Sequence, residues 1–481
     1  MRACVAPRGP AYTKQAGRTR RAGGMARRIA RRGLMRLQET RMRADSGRST
    51  RHRQVVAAVI GNTLEWYDFI VYGFFSAIIA RLFFPADSQY ASLLMSLATF
   101  GVGFFMRPVG GILLGLYADR KGRKAAMQLI ILLMTLSIAM ITFAPTYAAI
   151  GPAAPILIVI ARLLQGFATG GEYASATSFL VESAPAHRRG LYGSWQLIGQ
   201  CLAVFSGAAI GAWATQSLSA GALDSWGWRV PFALGLLIGP VGLWIRRHME
   251  ETDAFVQASK SPAEPPASVA RVLRDNLRGV LVSMGQTITG TAVFYVMLVN
   301  MPTFVNRTFG LPLDEVFQAQ MAAVALLTLT IPVAAMVSDR IGRRPVLLAG
   351  MLALLTVTYP LFSWLAAAPS IGRLLVMQLV ICTIIGVTYG PAPTALAEQF
   401  TTRMRSTGIA LAYNIAVMIF GGFAPFIVTW LTRASGSPVA PAWYVLFAAS
   451  FGLAASVFMR DGAPCVLARR QFRREPVTSA E

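Results

Sequence analysis

The stretch GNTLEWYDF places two carboxylates, Glu65 and Asp68, at the start of an apolar run that continues through IVYGFFSAIIARLFFP. Two arginines, Arg107 and Arg162, and a third acid, Glu172, also lie inside apolar runs. A charge near the middle of a bilayer costs several kcal/mol, so such side chains face a partner or a water-filled cavity. Buried acids can carry a proton, and buried arginines can bind an organic anion.

The depth of these five residues follows from the helical rise of about 1.5 Å per residue. Counted from the helix ends that carry basic loops, Glu65, Arg107 and Glu172 are predicted at ~15 to ~16 Å, in one layer near the mid-plane. Asp68 is predicted at ~21 Å, and Arg162 further still, in the other half of the bilayer. We therefore expect two clusters of charged side chains: one near the mid-plane, and one, with Asp68 and Arg162, in the outer half of the bilayer.

The proton carrier must be a carboxylate whose ionised and protonated forms are close in free energy. Burial disfavours the charged form of an acid, whereas a nearby arginine favours it. Asp68 with Arg162 is the predicted proton-coupling pair, and Glu65 and Glu172 are the next candidates. Arg107 and Arg162 are the predicted anion-binding residues, because arginine offers two parallel donors to a carboxylate. The alternative, that the pairs Asp68–Arg162 and Arg107–Glu172 only hold helices together, stays open.

Neutral polar residues in apolar runs supply the remaining predicted substrate contacts. Helix–helix hydrogen bonding is an equally good interpretation for each of them. The predicted substrate contacts are Gln196, Gln200, Tyr295, Asn300, Tyr389 and Asn414, and further candidates facing the pore are Gln286, Gln320 and Tyr413.

The elements that must position these residues are membrane-spanning helices. The chain of 481 residues is 55% hydrophobic and only 14% charged, with a mean hydropathy of +0.52. A soluble protein carries roughly 25% charged residues, and a spanning helix needs about 20 apolar ones. The pattern predicts an all-α membrane protein with spans at 54–80, 91–117, 126–145, 155–182, 190–215, 229–247, 279–305, 316–337, 346–366, 372–399, 406–432 and 442–459.

The distribution of charge argues against a nucleic-acid-binding protein. Of the net charge of +24, residues 1–53 contribute +14, and most of the remainder lies in short loops between apolar runs. This distribution is typical of the positive-inside rule, so both termini are predicted to be cytoplasmic. The cysteines show no metal-binding spacing and the histidines fall at predicted helix ends or loops, so we expect no metal site.

The chain divides into two similar halves. The basic stretch 1–53 is predicted to be a disordered cytoplasmic tail, and 460–481 a second tail. Residues 54–247 and 279–459 are predicted to form six helices each, joined by a polar, proline-rich cytoplasmic linker at 248–278.

Two sequence elements repeat between the halves at nearly one offset. ADRKGRK begins at residue 118 and SDRIGRR at residue 338, an offset of 220. Glu182 and Arg189 recur as Glu398 and Arg405, an offset of 216. Internal repeats with the binding site between them are typical of secondary transporters.

These motifs together resemble the major facilitator superfamily and, within it, the metabolite–proton symporter family. The resemblance rests on GNTLEWYDF, MRPVGG, ADRKGRK, RLLQGFATGGEYASA, SWQ and SWGWRVPF, and it covers about residues 60 to 459. It implies a twelve-helix fold and proton-coupled uptake of citrate or other carboxylates, 2-oxoglutarate, shikimate, or proline and betaine. FGGFAPFIVTWL and NMPTFVNRTFGL are most similar to citrate and dicarboxylate members. The resemblance also supports Asp68 with Arg162, because sugar–proton symporters place an acid and an arginine on the same two helices.

The resemblance further implies a latch at the cytoplasmic helix ends that stabilises the outward-open state. Arg123 with Glu182, and Arg343 with Glu398, are the predicted pairs. Asp119 and Asp339 are the other predicted gating residues. The alternative is that these loops only set the topology.

The sequence therefore predicts a proton-coupled importer of a small organic acid. It is expected to be a multi-pass protein of a bacterial inner membrane, a monomer, and not an enzyme. The proton is the only expected coupling ion, with no cofactor, metal or nucleic-acid partner. A symporter of zwitterionic osmolytes or a shikimate-like acid is the alternative, and a membrane-embedded receptor or enzyme is the alternative from another class. Without a GxxxxGK[ST] loop, ATP-driven transport is disfavoured.

Overall fold

The computed structural model of this chain describes residues 59–121, 123–182, 184–248, 269–402, 404–463 and 465–466. The predicted N-terminal tail, most of the predicted linker and the end of the C-terminal tail lie outside these ranges. So do the side chains of Asp119 and Arg123, although both residues lie in helices.

The described residues form twelve successive helical spans, six in each half, as the sequence predicts. Ten helices are long and apolar enough to cross a membrane, a bent pair makes an eleventh, and Gln128–Thr142 is a shorter apolar helix. The spans are α1 (Val59–Phe74 with Ser76–Phe83), α2 (Gln89–Lys121), α3 (Arg123–Thr142), α4 (Ala153–Glu182), α5 (Arg189–Ser217), α6 (Ala220–Trp244), α7 (Val269–Phe309), α8 (Leu313–Ile341), α9 (Arg343–Ala367), α10 (Ile371–Glu398), α11 (Arg405–Ser435) and α12 (Ala440–Phe458).

Several spans are irregular part-way across the bilayer. The two parts of α1 meet at an angle of 64°, where the sequence predicts one continuous helix. In α4, Gly170 and Gly171 separate the helical segment Ala153–Thr169 from Glu172–Glu182. A π-helical turn occupies Tyr295–Asn300 in α7. Non-helical backbone at this depth is tolerated where it is buried in protein or lines a cavity.

The boundaries of the second half differ from the prediction. Residues 269–275, predicted as linker, are helical, and Asn276 breaks this helix with φ −145° and ψ 42°. The Asn276 amide donates a hydrogen bond of 2.9 Å to the carbonyl oxygen of Gln399. At the C-terminus, the Asp461 carboxylate accepts hydrogen bonds from the backbone N–H groups of Arg343 and Arg344, at 3.2 and 3.0 Å. Asp461, the second residue of the predicted C-terminal tail, therefore caps α9.

Helices α2 and α4 pack with their backbones in contact. A Cβ atom on Gly166 would lie 1.6 Å from the carbonyl oxygen of Gly103, and one on Gly170 would lie 1.9 Å from that of Arg107. A Cβ on Gly110 would lie 1.8 Å from the carbonyl oxygen of Phe167. Glycines of this kind let membrane helices approach closely, and here they fix the rotation of α4, which carries Arg162.

Candidate functional site

Asp68 and Arg162, the predicted proton-coupling residues, lie close together with a third side chain between them; their role in proton coupling stays a prediction. Arg162 Nη1 lies 3.6 Å from Asp68 Oδ2, and both side chains are fully buried. The Gln165 amide connects them: its oxygen accepts a hydrogen bond from Arg162, and its nitrogen donates one to Asp68. The three side chains form one polar chain from α4 to α1.

Aromatic rings surround the Arg162 guanidinium. Its Cζ lies 3.9 Å from the ring centroid of Tyr72, 5.1 Å from that of Phe69 and 5.2 Å from that of Phe100. The Tyr72 hydroxyl donates a 3.2 Å hydrogen bond to the carbonyl oxygen of Ser96, which fixes that ring. Ring faces attract a desolvated cation by about 2 kcal/mol or more, so they hold Arg162 in place.

Arg107 is a further buried arginine of the first half, at 3% exposure. Its Cζ lies 4.3 Å from the ring centroid of Phe104 and 4.8 Å from that of Phe69. Glu65 is buried on α1, and Glu172 is partly exposed at the start of the second segment of α4. The pairing of Arg107 with Glu172 and the proton-carrying roles of both acids stay predictions.

A cavity lies between the two halves. Its volume of about 50 Å³ holds a few water molecules at ~10–15 Å³ each, so an organic acid of several carbons requires the halves to separate. Its side chains are aromatic, amide, hydroxyl or aliphatic. The cavity is lined by Trp66, Tyr173, Leu197, Gln200, Gln286, Thr287, Gly290, Thr291, Phe294, Tyr295, Tyr389, Ala392, Leu396 and Tyr413.

Three of the six neutral residues predicted to contact substrate line this cavity: Gln200, Tyr295 and Tyr389. The Tyr389 hydroxyl on α10 donates a 2.7 Å hydrogen bond to the carbonyl oxygen of Gly290 on α7. Gln286 and Tyr413, the further candidates, also line it.

The other three lie elsewhere. The Asn62 amide donates a 2.7 Å hydrogen bond to the carbonyl oxygen of Gln196, and the Gln196 amide donates one of 3.2 Å to the Asn62 side-chain oxygen. These bonds join α5 to α1, as expected for a residue that holds two helices together. Asn414 donates a 2.7 Å hydrogen bond to the carbonyl oxygen of Gly170 in the other half. Asn300 is buried at the end of the π-helical turn.

Four of the six predicted gating residues, Glu182, Asp339, Arg343 and Glu398, lie at one end of the bundle. We call it the charged end, because Arg189 and Arg405 lie there as well. Arg343 lies 2.7 Å from Asp339 and 3.5 Å from Glu398, so the predicted contact with Glu398 is present. Its gating role stays a prediction.

Contacts between the halves at the charged end involve two of these acids. Glu182 pairs with Arg405 of the other half at 2.6 Å, whereas the sequence predicts Arg123, whose side chain lies outside the described ones. Asp339 accepts hydrogen bonds from the N–H groups of Gly190 and Leu191, at 2.9 and 3.2 Å. These bonds tie α8 to the start of α5.

Aromatic contacts join the halves further along the bundle. The rings of Tyr173 and Tyr413 stack with centroids 3.7 Å apart. Near the end opposite the charged one, the rings of Phe74 and Phe317 lie 5.2 Å apart. The halves thus touch at both ends of the cavity, so access from either side needs a change in their relative position.

Gln165 is the functional candidate that the sequence analysis missed. It lies three residues after Arg162, the spacing that places two side chains on one helix face. In the second half, the position equivalent to Arg162 is an uncharged residue, Gln378, at an offset of 216. Its amide donates a 2.7 Å hydrogen bond to Gln320. The charged chain in the described structure therefore belongs to the first half.

Comparisons with known proteins identify the family and the fold. The family model "Sugar (and other) transporter" matches residues 54–275 and 246–470. A citrate-proton symporter of Salmonella typhi is 37% identical over 407 residues, 84% of this chain and 93% of that protein. The proline/betaine transporter of Escherichia coli is 32% identical over 420 residues, 85% of this chain and 84% of that protein.

The solved proton:xylose symporter XylE of the major facilitator superfamily, bound to 6-bromo-6-deoxy-D-glucose, superimposes with a TM-score of 0.70. The two chains are 17% identical, and the alignment covers 86% of this chain and 95% of that one. This likeness shows the fold, with its twelve spans in two halves. The family model and the relatives add the family: the chain belongs to the sugar (and other) transporters.

Proposed function

We propose that this protein imports a small organic acid together with protons by alternating access. The observation that carries the proposal is the fully buried chain Asp68–Gln165–Arg162 in the half that forms one wall of the central cavity. A buried carboxylate that is held ionised by an arginine can bind a proton when that balance changes. Repeated halves around a central site supply the alternating access.

The proposal assigns a separate role to each set of charged residues. Asp68 takes up the proton, and Arg162 stabilises the form that has released it. Arg107 attracts the anionic substrate towards the aromatic wall of the cavity, which its guanidinium approaches to 5.8 Å at the ring of Trp66. The contacts at the charged end open and close one access route.

A carboxylate is the substrate class that these charges support best. Arginine binds a carboxylate with paired hydrogen bonds, and the Salmonella typhi relative is named a citrate-proton symporter. The aromatic lining favours a second candidate, a zwitterion with a methylated ammonium group, because ring faces bind such cations. The proline/betaine relative is consistent with that candidate.

The orientation follows from the basic loops. Because basic loops stay in the cytoplasm, the charged end and both termini face the cytoplasm in this proposal. The membrane is then the bacterial inner membrane, and the monomer is the transporting unit because one chain supplies both halves of the cavity.

The test is uptake by proteoliposomes that contain the purified protein and carry an imposed pH gradient. Labelled citrate is expected to accumulate when the outside is acidic, and a protonophore is expected to abolish the accumulation. Competition with 2-oxoglutarate, shikimate and betaine separates the two substrate classes. Accumulation of betaine but not of citrate would replace the first candidate with the second, and no pH-driven accumulation of any of them would refute proton coupling.

A further inference from the structure

Gln165 is hydrogen-bonded to both Asp68 and Arg162. The carboxylate and the guanidinium are 3.6 Å apart, beyond the distance of a good hydrogen bond. Each bonds to the Gln165 amide instead. The amide therefore bridges two charged groups that also lie within ion-pair distance of each other.

The chemistry of the three groups fixes the orientation of that amide. Arginine can only donate hydrogen bonds, and an ionised carboxylate can only accept them. The Gln165 oxygen must therefore face Arg162 and its nitrogen must face Asp68, as observed. This arrangement stabilises the ionised form of Asp68, because a hydrogen bond donated to a carboxylate favours its charge.

Packing prevents the neighbours of Gln165 from taking over its role. The Arg162 guanidinium is held 3.9 Å from the ring centroid of Tyr72. The backbone of α4 is held against α2, because Gly166 leaves no space for even a Cβ atom beside Gly103. We therefore expect Arg162 to keep its position when the Gln165 amide is removed.

We propose that Gln165 is a positioning residue that sets the pH at which Asp68 is protonated, and with it the pH range of transport. The inference rests on the proposed function, because it takes Asp68 as the proton carrier. The Gln165 amide competes with the proton for the Asp68 carboxylate. Without the amide, Asp68 binds the proton more readily, so the transporter loads at a higher pH.

The other groups around the pair remain the same when only Gln165 is changed. Helix α6 presents Gly235, where a Cβ would lie 3.7 Å from Asp68 Oδ1, and α3 presents Ile138 beside it. The titratable and charged groups that face this pair are Tyr67 and Tyr72 on α1, Arg107 on α2 and Tyr295 on α7. Glu65 on α1 interacts in turn with Tyr295.

The test compares Gln165→Met, which keeps the size of the side chain and loses both hydrogen bonds, with the wild type. Initial rates of citrate uptake are measured in proteoliposomes as a function of external pH. Gln165→Met is expected to move the midpoint of the profile by about one pH unit towards alkaline values. Such a shift is a tenfold change in proton affinity, or about 1.4 kcal/mol.

Gln378→Met is the matched control. Gln378 is also a buried glutamine, on the equivalent helix α10, but its amide donates to Gln320 and not to a carboxylate. Its loss is expected to leave the midpoint unchanged. Gln165→Glu is the second variant: a second acid beside Asp68 is expected to give a larger alkaline shift, because like charges favour protonation.

The outcomes separate this inference from the proposed function. A wild-type protein without pH-dependent uptake, or an Asp68→Asn variant with the wild-type profile, would overturn the proposed function. If both behave as proposed, an unchanged midpoint in Gln165→Met or Gln165→Glu overturns the inference alone. An acidic shift in Gln165→Met also overturns it, since Arg162 would then contact Asp68 directly.

Discussion

Replacing Gly166 with alanine adds one methyl group at the closest contact between α2 and α4. In the native packing, that methyl carbon would lie 1.6 Å from the carbonyl oxygen of Gly103. Ordinary contact begins at 3.4 Å, so the two backbones must separate by about 1.8 Å at this point. Because Gln165 precedes Gly166 and Arg162 lies one turn away, the separation also moves the polar chain.

The cost has two parts. Overpacking of a tight contact typically costs about 1–3 kcal/mol, and sometimes more. The hydrogen bonds from Gln165 to Asp68 and Arg162 tolerate only a few tenths of an ångström before they weaken. We therefore expect uptake to fall at least tenfold, together with a loss of thermal stability of about 1–3 kcal/mol.

The assay combines thermal unfolding of the detergent-purified protein with citrate uptake in proteoliposomes. Gly115→Ala is the control, because a Cβ at this position on α2 meets no atom within 4 Å. It is expected to leave stability unchanged or to raise it slightly, since alanine favours helix. A Gly166→Ala variant with native stability and native uptake would refute the close-packing account.

Further substitutions test the anion-binding and gating residues. Arg107→Ala is expected to raise the KM for citrate at least tenfold, and Arg107→Lys to raise it by less, because lysine keeps the charge but loses the paired donors; an unchanged KM in a folded variant would assign Arg107 a structural role. Asp339→Asn is expected to lower the initial uptake rate several-fold, because Asp339 both accepts hydrogen bonds from α5 and contacts Arg343. Glu182→Gln is expected to change that rate less than about twofold, because its pair with Arg405 is partly exposed and such pairs contribute little. Equal effects of these two substitutions would contradict the ranking.

Much of the fold follows from the sequence because a bilayer restricts what a chain can do. An apolar run of about 20 residues must be a helix, so the twelve spans could be counted directly. Charges inside such runs need partners, which is why the pairing of Asp68 with Arg162 could be predicted. The contact of Arg343 with Glu398 followed from the repeated motif.

The remainder depends on three-dimensional neighbours that spacing does not reveal. Gln165 looks like any amide in a helix, and only the position of α1 shows that it bridges two charges. Glu182 contacts Arg405 because the two halves meet at the charged end, which the repeat within each half cannot show. The bend in α1 lies between Phe74 and Ser76, directly after Gly73, and a single glycine in an apolar run does not by itself predict a bend.

The most direct test of the central claim is the Asp68→Asn variant, measured in two modes in the same proteoliposomes. The account predicts that pH-driven accumulation of citrate is lost, because asparagine cannot take up a proton, while exchange of labelled for unlabelled citrate partly survives. Circular dichroism and gel filtration establish that the variant is folded. Accumulation of citrate by Asp68→Asn to the wild-type level, under the same pH gradient, would contradict the claim that Asp68 carries the proton.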